Sequence, residues 1–72
     1  MTIRMRDDIL KSQITYYNGV IAKHQQNVEI YLTNPVGIGE HPDVMAAIET
    51  ELNAISQAHE KIQVINHYFL VR

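Results

Sequence analysis

The sequence predicts an all-α fold: an antiparallel two-helix hairpin with helices over about residues 4–33 and 42–69, which dimerises into a four-helix bundle. Three observations carry this prediction: two apolar stripes of nearly equal length, one short segment with proline and glycine between them, and more apolar surface than a hairpin can bury. The 72 residues, 1–72, form a single domain. They include no cysteine, so no disulfide compensates for a small core.

In the first half, apolar and aromatic residues recur at alternating steps of four and three, which places them on one face of an α-helix. Asp7 and Asp8 are expected in the first turn of this helix, where carboxylates meet the positive end of the helix dipole. If the helix already starts at Thr2, that residue would be the N-cap instead. Asn34 and Pro35 are expected to end it, because the residue before proline disfavours helical geometry. The stripe consists of Leu10, Ile14, Tyr17, Ile21, His24, Val28 and Tyr31.

The connector covers about residues 34–41 and holds two glycines suited to a compact turn. Pro42 is expected as the first residue of helix two, because its fixed φ angle suits that position. His41 or Glu40 would then be the cap, with Asp43 in the first turn. A connector this short makes the two helices antiparallel neighbours.

In the second half the same spacing returns, and the stripe consists of Met45, Ile48, Leu52, Ile55, His59, Ile62, Asn66 and Phe69. In an antiparallel pair, residues whose numbers sum to about 76 would lie level, with coiled-coil-like packing. A second apolar line runs beside this stripe, so the apolar surface exceeds what one seam covers. Surfaces of that extent are typical of interfaces, and a two-fold dimer is the simplest closed solution.

The predicted interface and core positions combine both stripes with one residue of the second line. They are Leu10, Ile14, Tyr17, Ile21, His24, Val28, Tyr31, Met45, Ile48, Leu52, Ile55, His59, Ile62, Ile65 and Phe69.

His24 and His59 are the polar residues of interest in these stripes. One interpretation is a buried polar layer that fixes the register, with the Tyr17 hydroxyl bonded to His59, and His24 bonded to water or Gln25. The alternative is a metal- or small-ligand-binding bundle. Metal sites in bundle cores use converging sets such as Glu-x-x-His, and the stripes contain none, so neither a metal nor another cofactor is predicted.

Catalysis is not predicted either. Ser12 and Ser56 have no base placed to activate them, and a thin hairpin offers little room for a deep pocket. The segment from Gly37 to Asp43 contains Gly-x-Gly before a helix, but its acidic residues oppose phosphate and a structural turn is the simpler interpretation. The sequence therefore predicts a protein that is not an enzyme.

Charge is distributed unevenly along a chain of net charge −2. Six acidic residues and no Lys or Arg lie between Glu29 and Glu60, so the connector end of the hairpin should be acidic. This argues against nucleic acid as a partner, because phosphate binding needs a basic patch. The alternative, a nucleic-acid accessory factor, would use the bases of the open end: Arg4, Arg6, Lys11 and Arg72.

No apolar run approaches the length of a membrane span, and no signal core follows Met1. We therefore expect no membrane partner and a cytoplasmic location.

The stretch Asn34-Pro35-Val36-Gly37-Ile38-Gly39-Glu40-His41-Pro42-Asp43-Val44 and the helix after it, to about Phe69, resemble part of short uncharacterised helical-hairpin proteins of tailed bacteriophages, including marine and cyanobacterial phages. The resemblance implies a hairpin and a phage source, with the host cytoplasm or the virion as the location. It carries over no activity and no functional residue. Together with the residue patterns, it favours a non-catalytic interaction or structural module that self-associates, such as a phage accessory or virion-associated protein.

Overall fold

The computed structural model describes residues 2–34 and 43–70, with side chains from residue 5 onward. The chain forms two long helices packed together, α1 over Thr2–Thr33 and α2 over Val44–Ile65, and a π-helical turn over Asn66–Leu70 continues α2. No strand occurs in the described part. The predicted helical hairpin is confirmed.

Two long-range contacts show that the helices run antiparallel. Arg6, near the start of α1, is hydrogen-bonded to Phe69, near the end of the chain, and His24 in the second half of α1 is bonded to Glu51 in α2. We call the contact line between the helices the seam. The end near the connector is the tip, and the end near the termini is the open end.

α1 begins earlier than expected and ends where expected. Because it starts at Thr2, Asp7 and Asp8 lie in its second turn, and its first turn contains no acidic residue, so the prediction for these two carboxylates was wrong. The Met and Arg residues before them favour a helix and do not delay its start. At the other end, the Asn34 N–H donates to Ile30 O at 2.9 Å and closes the last turn.

α2 begins two residues later than predicted. Asp43 is its N-cap, not a member of its first turn, and its carboxylate accepts a hydrogen bond from the Ala46 N–H at 2.9 Å. Aspartate is a favoured cap because its side chain satisfies an amide that has no partner within the helix. The predictions for the connector, for the Glu40 or His41 cap and for Pro42 lie outside the described residues.

The end of α2 also differs from the predicted continuous helix to Tyr68 or Phe69. The Asn66 N–H is shared between the carbonyls of Ile62 and Gln63, and the π-helical turn follows. The Arg6 guanidinium donates to Phe69 O at 2.8 Å, so a side chain of α1 satisfies a carbonyl in this last turn.

The hairpin is 55 Å long and only 17 by 15 Å across. Each helix can therefore be covered along one line only, since two helices placed side by side leave both broad sides of the pair open. Ala58, 4% exposed, is the only fully buried hydrophobic residue among those described. No described helix is long and apolar enough to cross a membrane.

Candidate interaction surface

The α1 stripe faces α2 along its whole length. All seven of its predicted positions are half-buried in the hairpin: Leu10, Ile14, Tyr17, Ile21, His24, Val28 and Tyr31. Val20 and Asn27, which the prediction left out, are half-buried beside them. The 4-3 spacing of α1 thus gives the side that contacts its neighbour.

The α2 stripe divides into two groups. Ile48, Ile55, Ile62 and Ile65 are half-buried, whereas the other predicted interface positions are exposed: Met45, Leu52, His59 and Phe69. Phe69 lines a groove against α1 at the open end, whereas Met45, Leu52 and His59 lie outside the half-buried side of α2. The place of all four in an interface between copies remains a prediction. Asn66, in the same stripe, is also exposed.

The side of α2 that faces α1 shares Ile48, Ile55 and Ile62 with the predicted stripe, but its centre lies further round the helix. Its half-buried or buried members are Val44, Ala47, Ile48, Glu51, Ala54, Ile55, Ala58, Ile62 and Ile65. Three alanines and a glutamate thus lie on the inner side of α2, where the predicted stripe placed Met45, Leu52 and His59. Small residues let two helix backbones come close, which is why Ala58 loses nearly all contact with water.

Glu51 forms the centre of a polar cluster in the seam. Its Oε1 lies 2.5 Å from His24 Nδ1 and accepts a hydrogen bond from Asn27 Nδ2 at 3.0 Å. A carboxylate can only accept, so His24 Nδ1 carries the hydrogen. The side chains of His24 and Glu51 are 23% and 12% exposed, so this bond is partly shielded from water. We expect this cluster to favour one register, because the neighbouring half-buried positions of α2, Ala47, Ile48, Ala54 and Ile55, offer no acceptor side chain.

Hydrogen bonds from His24 and, to a lesser degree, Asn27 lower the pKa of Glu51. Electrostatic attraction from His24 and Lys23 also lowers the pKa of Glu51, whereas partial burial of the carboxylate raises it. The carboxylate is therefore held in its ionised form, as expected for a group that accepts two hydrogen bonds.

The histidine predictions are corrected accordingly. His24 is bonded to Glu51 and not to Gln25. His59 is exposed, and within the described residues no hydrogen bond joins it to Tyr17. The Tyr17 ring instead lies 5.6 Å below Lys61 Nζ and 5.1 Å from the Tyr16 ring. A polar cluster does occur in the seam, but it is half-buried, and the partner of His24 is a carboxylate that the apolar stripe did not include.

The two broad sides of the hairpin differ in chemistry. One side holds a shallow groove between the helices, lined by Tyr16, Tyr17, Val20, Ala54, Gln57, Ala58 and Lys61, and we call it the tyrosine face. Ile14 and Tyr16, like Leu52 and Ala54, are two residues apart and therefore point to opposite sides of the seam. The side opposite the groove, the isoleucine face, consists of Ile14, Ile21, Met45, Ile48, Leu52 and Ile55.

At the open end, the two helices form a second groove. It has a volume of about 320 Å³ and is lined by Met5, Arg6, Ile9, Leu10 and Phe69. Met5 is 66% exposed and Ile9 57% exposed, so the groove is a surface and not an enclosed cavity. The Arg6 guanidinium also lies 3.7 Å from the Asp7 carboxylate, and this ion pair keeps the guanidinium at the rim of the groove.

The candidate metal-ligand and nucleophile positions can be compared with the described side chains. Among residues 5–34 and 43–70, no group of three or more His, Asp or Glu side chains could hold a metal ion. Ser12 and Ser56 are exposed, and neither is hydrogen-bonded to a histidine or carboxylate in that part of the chain. Glu40 and His41 lie outside the described residues. No family model, no curated protein and no solved structure matches this chain.

Proposed function

We propose that this chain is a non-catalytic interaction or structural module that self-associates, with two hairpins forming a four-helix bundle. One observation carries the proposal: the large apolar side chains are left in water when the hairpin stands alone. Among the residues whose side chains the structure describes, ten are exposed, including Met45 at 80%, Tyr68 at 70% and Met5 at 66%. A surface this apolar on a small chain is typical of an interface.

The accessible area supports the same conclusion. The chain exposes 5793 Å², whereas a compact monomer of 8.3 kDa exposes about 4,600 Å². The excess of roughly 1,200 Å² is larger than the roughly 800 Å² that each partner contributes to a standard stable interface. A standard interface with one second copy would therefore cover about two thirds of the excess.

The proposal includes a biological setting. The resemblance of the connector and helix two to short phage proteins favours a phage accessory or virion-associated protein, in the host cytoplasm or the virion. This setting rests on the resemblance alone. The self-association rests on the exposed side chains and can be tested separately.

Light scattering on a sizing column, over a hundredfold range of protein concentration, tests the self-association. We expect the mass of two chains at high concentration, and a thermal melting temperature that rises with concentration because only the folded dimer is favoured by mass action. A single-chain mass at every concentration, with a cooperative and concentration-independent melt, would refute the proposal.

A further inference from the structure

We propose that two hairpins pack their isoleucine faces together head to tail, so that the tip of each copy lies beside the open end of the other. This inference rests on the self-association proposed above. It goes further by naming the surface that is covered, the occupant and the arrangement. The occupant is a second copy of this chain.

The isoleucine face is the side that gains most from being covered. Met45 and Leu52 are 80% and 51% exposed there. The half-buried isoleucines beside them lie between the seam and this face, where the core of a four-helix bundle would form. The tyrosine face offers Tyr16, Tyr17 and Val20 on α1, but on α2 it has only alanines, Gln57 and Lys61. Branched aliphatic side chains bury more apolar area than alanines and pack in defined rotamers.

Charge decides between the two ways of stacking these faces. In the described residues, the exposed acids Glu29, Asp43 and Glu49 lie near the tip, whereas near the open end the bases Arg6 and Lys11 are accompanied by the acids Asp7 and Asp8. Tip-on-tip stacking would bring the two acidic tips together, whereas head-to-tail stacking puts each acidic tip beside an open end of mixed charge. Repulsion between like charges therefore disfavours the first arrangement.

Two residues give this arrangement a register. Lys11 and Glu29 are 18 residues apart on α1, which is five full turns at about 3.6 residues per turn, so they point in the same direction. Both side chains point toward the edge of the isoleucine face, and both are exposed. If the two-fold axis passes level with Val20, Lys11 of each copy lies beside Glu29 of the other.

The face is tested by one matched pair of substitutions in α2. Leu52→Asp puts a charge on the isoleucine face, and we expect the dimer dissociation constant to rise on the order of a hundredfold because an unpaired charge would be buried. Val64→Asp adds the same charge to an exposed site, 41% accessible, that points away from this face. It should change the constant by no more than about threefold, as surface substitutions usually do.

The register is tested by charge reversal. Lys11→Glu places two acids opposite each other at both ends of the dimer and should weaken association about tenfold, whereas the double variant Lys11→Glu with Glu29→Lys should restore it. Lys23→Glu, which makes the same change in net charge outside the interface, is the control and should have little effect.

The direction is tested by pulsed electron spin resonance, since a chain without cysteine can be labelled at single introduced sites. With the two-fold axis level with Val20, the two labels of an Asp8→Cys dimer would lie about 36 Å apart along the bundle axis. Those of a Lys23→Cys dimer would lie only about 9 Å apart along it. In tip-on-tip stacking each label is level with its mate, so both separations would reflect only the width of the bundle.

The outcomes separate this inference from the proposal beneath it. A long separation for Asp8→Cys, a short one for Lys23→Cys and rescue by the double charge reversal support head-to-tail packing. Short separations at both sites, a charge reversal without effect, or equal damage from Leu52→Asp and Val64→Asp, in a wild type that is dimeric, would refute it and leave self-association standing. A wild type that is monomeric throughout would refute self-association itself.

Discussion

The seam is built differently toward the tip and toward the open end. Toward the tip, His24 and Asn27 are bonded to the Glu51 carboxylate. Toward the open end, Ala58 packs against α1 and is almost fully buried. The same pair of helices thus uses hydrogen bonds between side chains toward the tip, and close backbone approach toward the open end, where Arg6 adds one bond to the Phe69 carbonyl.

The difference shows that the stability and the register of a thin hairpin can depend on different contacts. Alanines accept many neighbours, so an alanine seam alone would let one helix slide past the other. A carboxylate with two donors accepts only one position, because any shift leaves partly buried polar groups without partners. Apolar contact should therefore dominate stability, and the polar cluster should dominate register.

Removing apolar volume from the open half should have the largest effect. Ile62 is half-buried in the seam, and Ile62→Ala should destabilise the folded state by about 2 kcal/mol, because its methylene groups leave a gap that the helices fill only in part. Urea unfolding at fixed protein concentration measures this. Val64→Ala, at a 41% exposed site in the same turn, is the control. Equal losses for the two variants would contradict a seam at Ile62.

Adding volume at the closest approach should cost nearly as much. Ala58→Leu forces the helices apart where the alanine is 4% exposed, and we expect a loss of about 1–3 kcal/mol from overpacking. Ala46→Leu introduces the same side chain at an exposed position of α2 and should change the stability by less than about 0.5 kcal/mol. If Ala58→Leu were neutral or stabilising, the close approach of the helices at Ala58 would be wrong.

The polar cluster should contribute less stability, and its contribution should depend on pH. The pKa of Glu51 is lowered by its hydrogen bonds, so its contribution is present above the ordinary glutamate pKa of about 4.3 and is lost as the pH falls through the folded-state value. Glu51→Gln should therefore lower the melting temperature at pH 7, and the difference from wild type should shrink in acid.

Glu49→Gln is the matched control for this prediction, since Glu49 is exposed and lies two residues away in α2. Its melting curves should follow those of the wild type at every pH. A difference between Glu51→Gln and wild type that stayed constant from neutral pH to pH about 3 would show that the effect of Glu51 does not come from its ionised form.

The sequence predicts the hairpin and the inner side of α1 well, and it predicts the inner side of α2 less well. The α1 stripe consists of large apolar residues, so periodicity alone places it. On α2, the residues that face α1 include Ala54, Ala58 and Glu51. A pattern weighted by hydrophobicity passes over these in favour of Met45 and Leu52, which the hairpin leaves exposed.

The polar cluster could not be predicted because it depends on which residues lie level across the seam. The predicted pairing placed Leu52 beside His24, and the observed partner is Glu51, one residue earlier. A shift of one position turns a helix by about 100°, which is enough to exchange an apolar neighbour for a charged one. The line of small and branched residues from Val44 to Ile65 was the available signal for the true side.

Gly19 gives the smallest prediction and tests whether anything approaches the outer surface of α1. A Cβ built on Gly19 meets nothing within 4 Å, and glycine inside a helix is destabilising relative to alanine, so Gly19→Ala should stabilise the fold by about 0.5–1 kcal/mol. Thermal melts should show a rise of a few degrees. Ala22→Gly, at an exposed site one turn later, should show the reverse.

The concentration dependence of that gain distinguishes a free outer surface from a hidden contact. In head-to-tail packing through the isoleucine face, Gly19 points away from the second copy, so Gly19→Ala should raise the melting temperature equally at low and high protein concentration. A gain at low concentration that becomes a loss at high concentration would mean that another chain packs closely against α1 at Gly19, where a methyl group has no room. The dimer interface would then include the outer surface of α1 at Gly19 and not the isoleucine face.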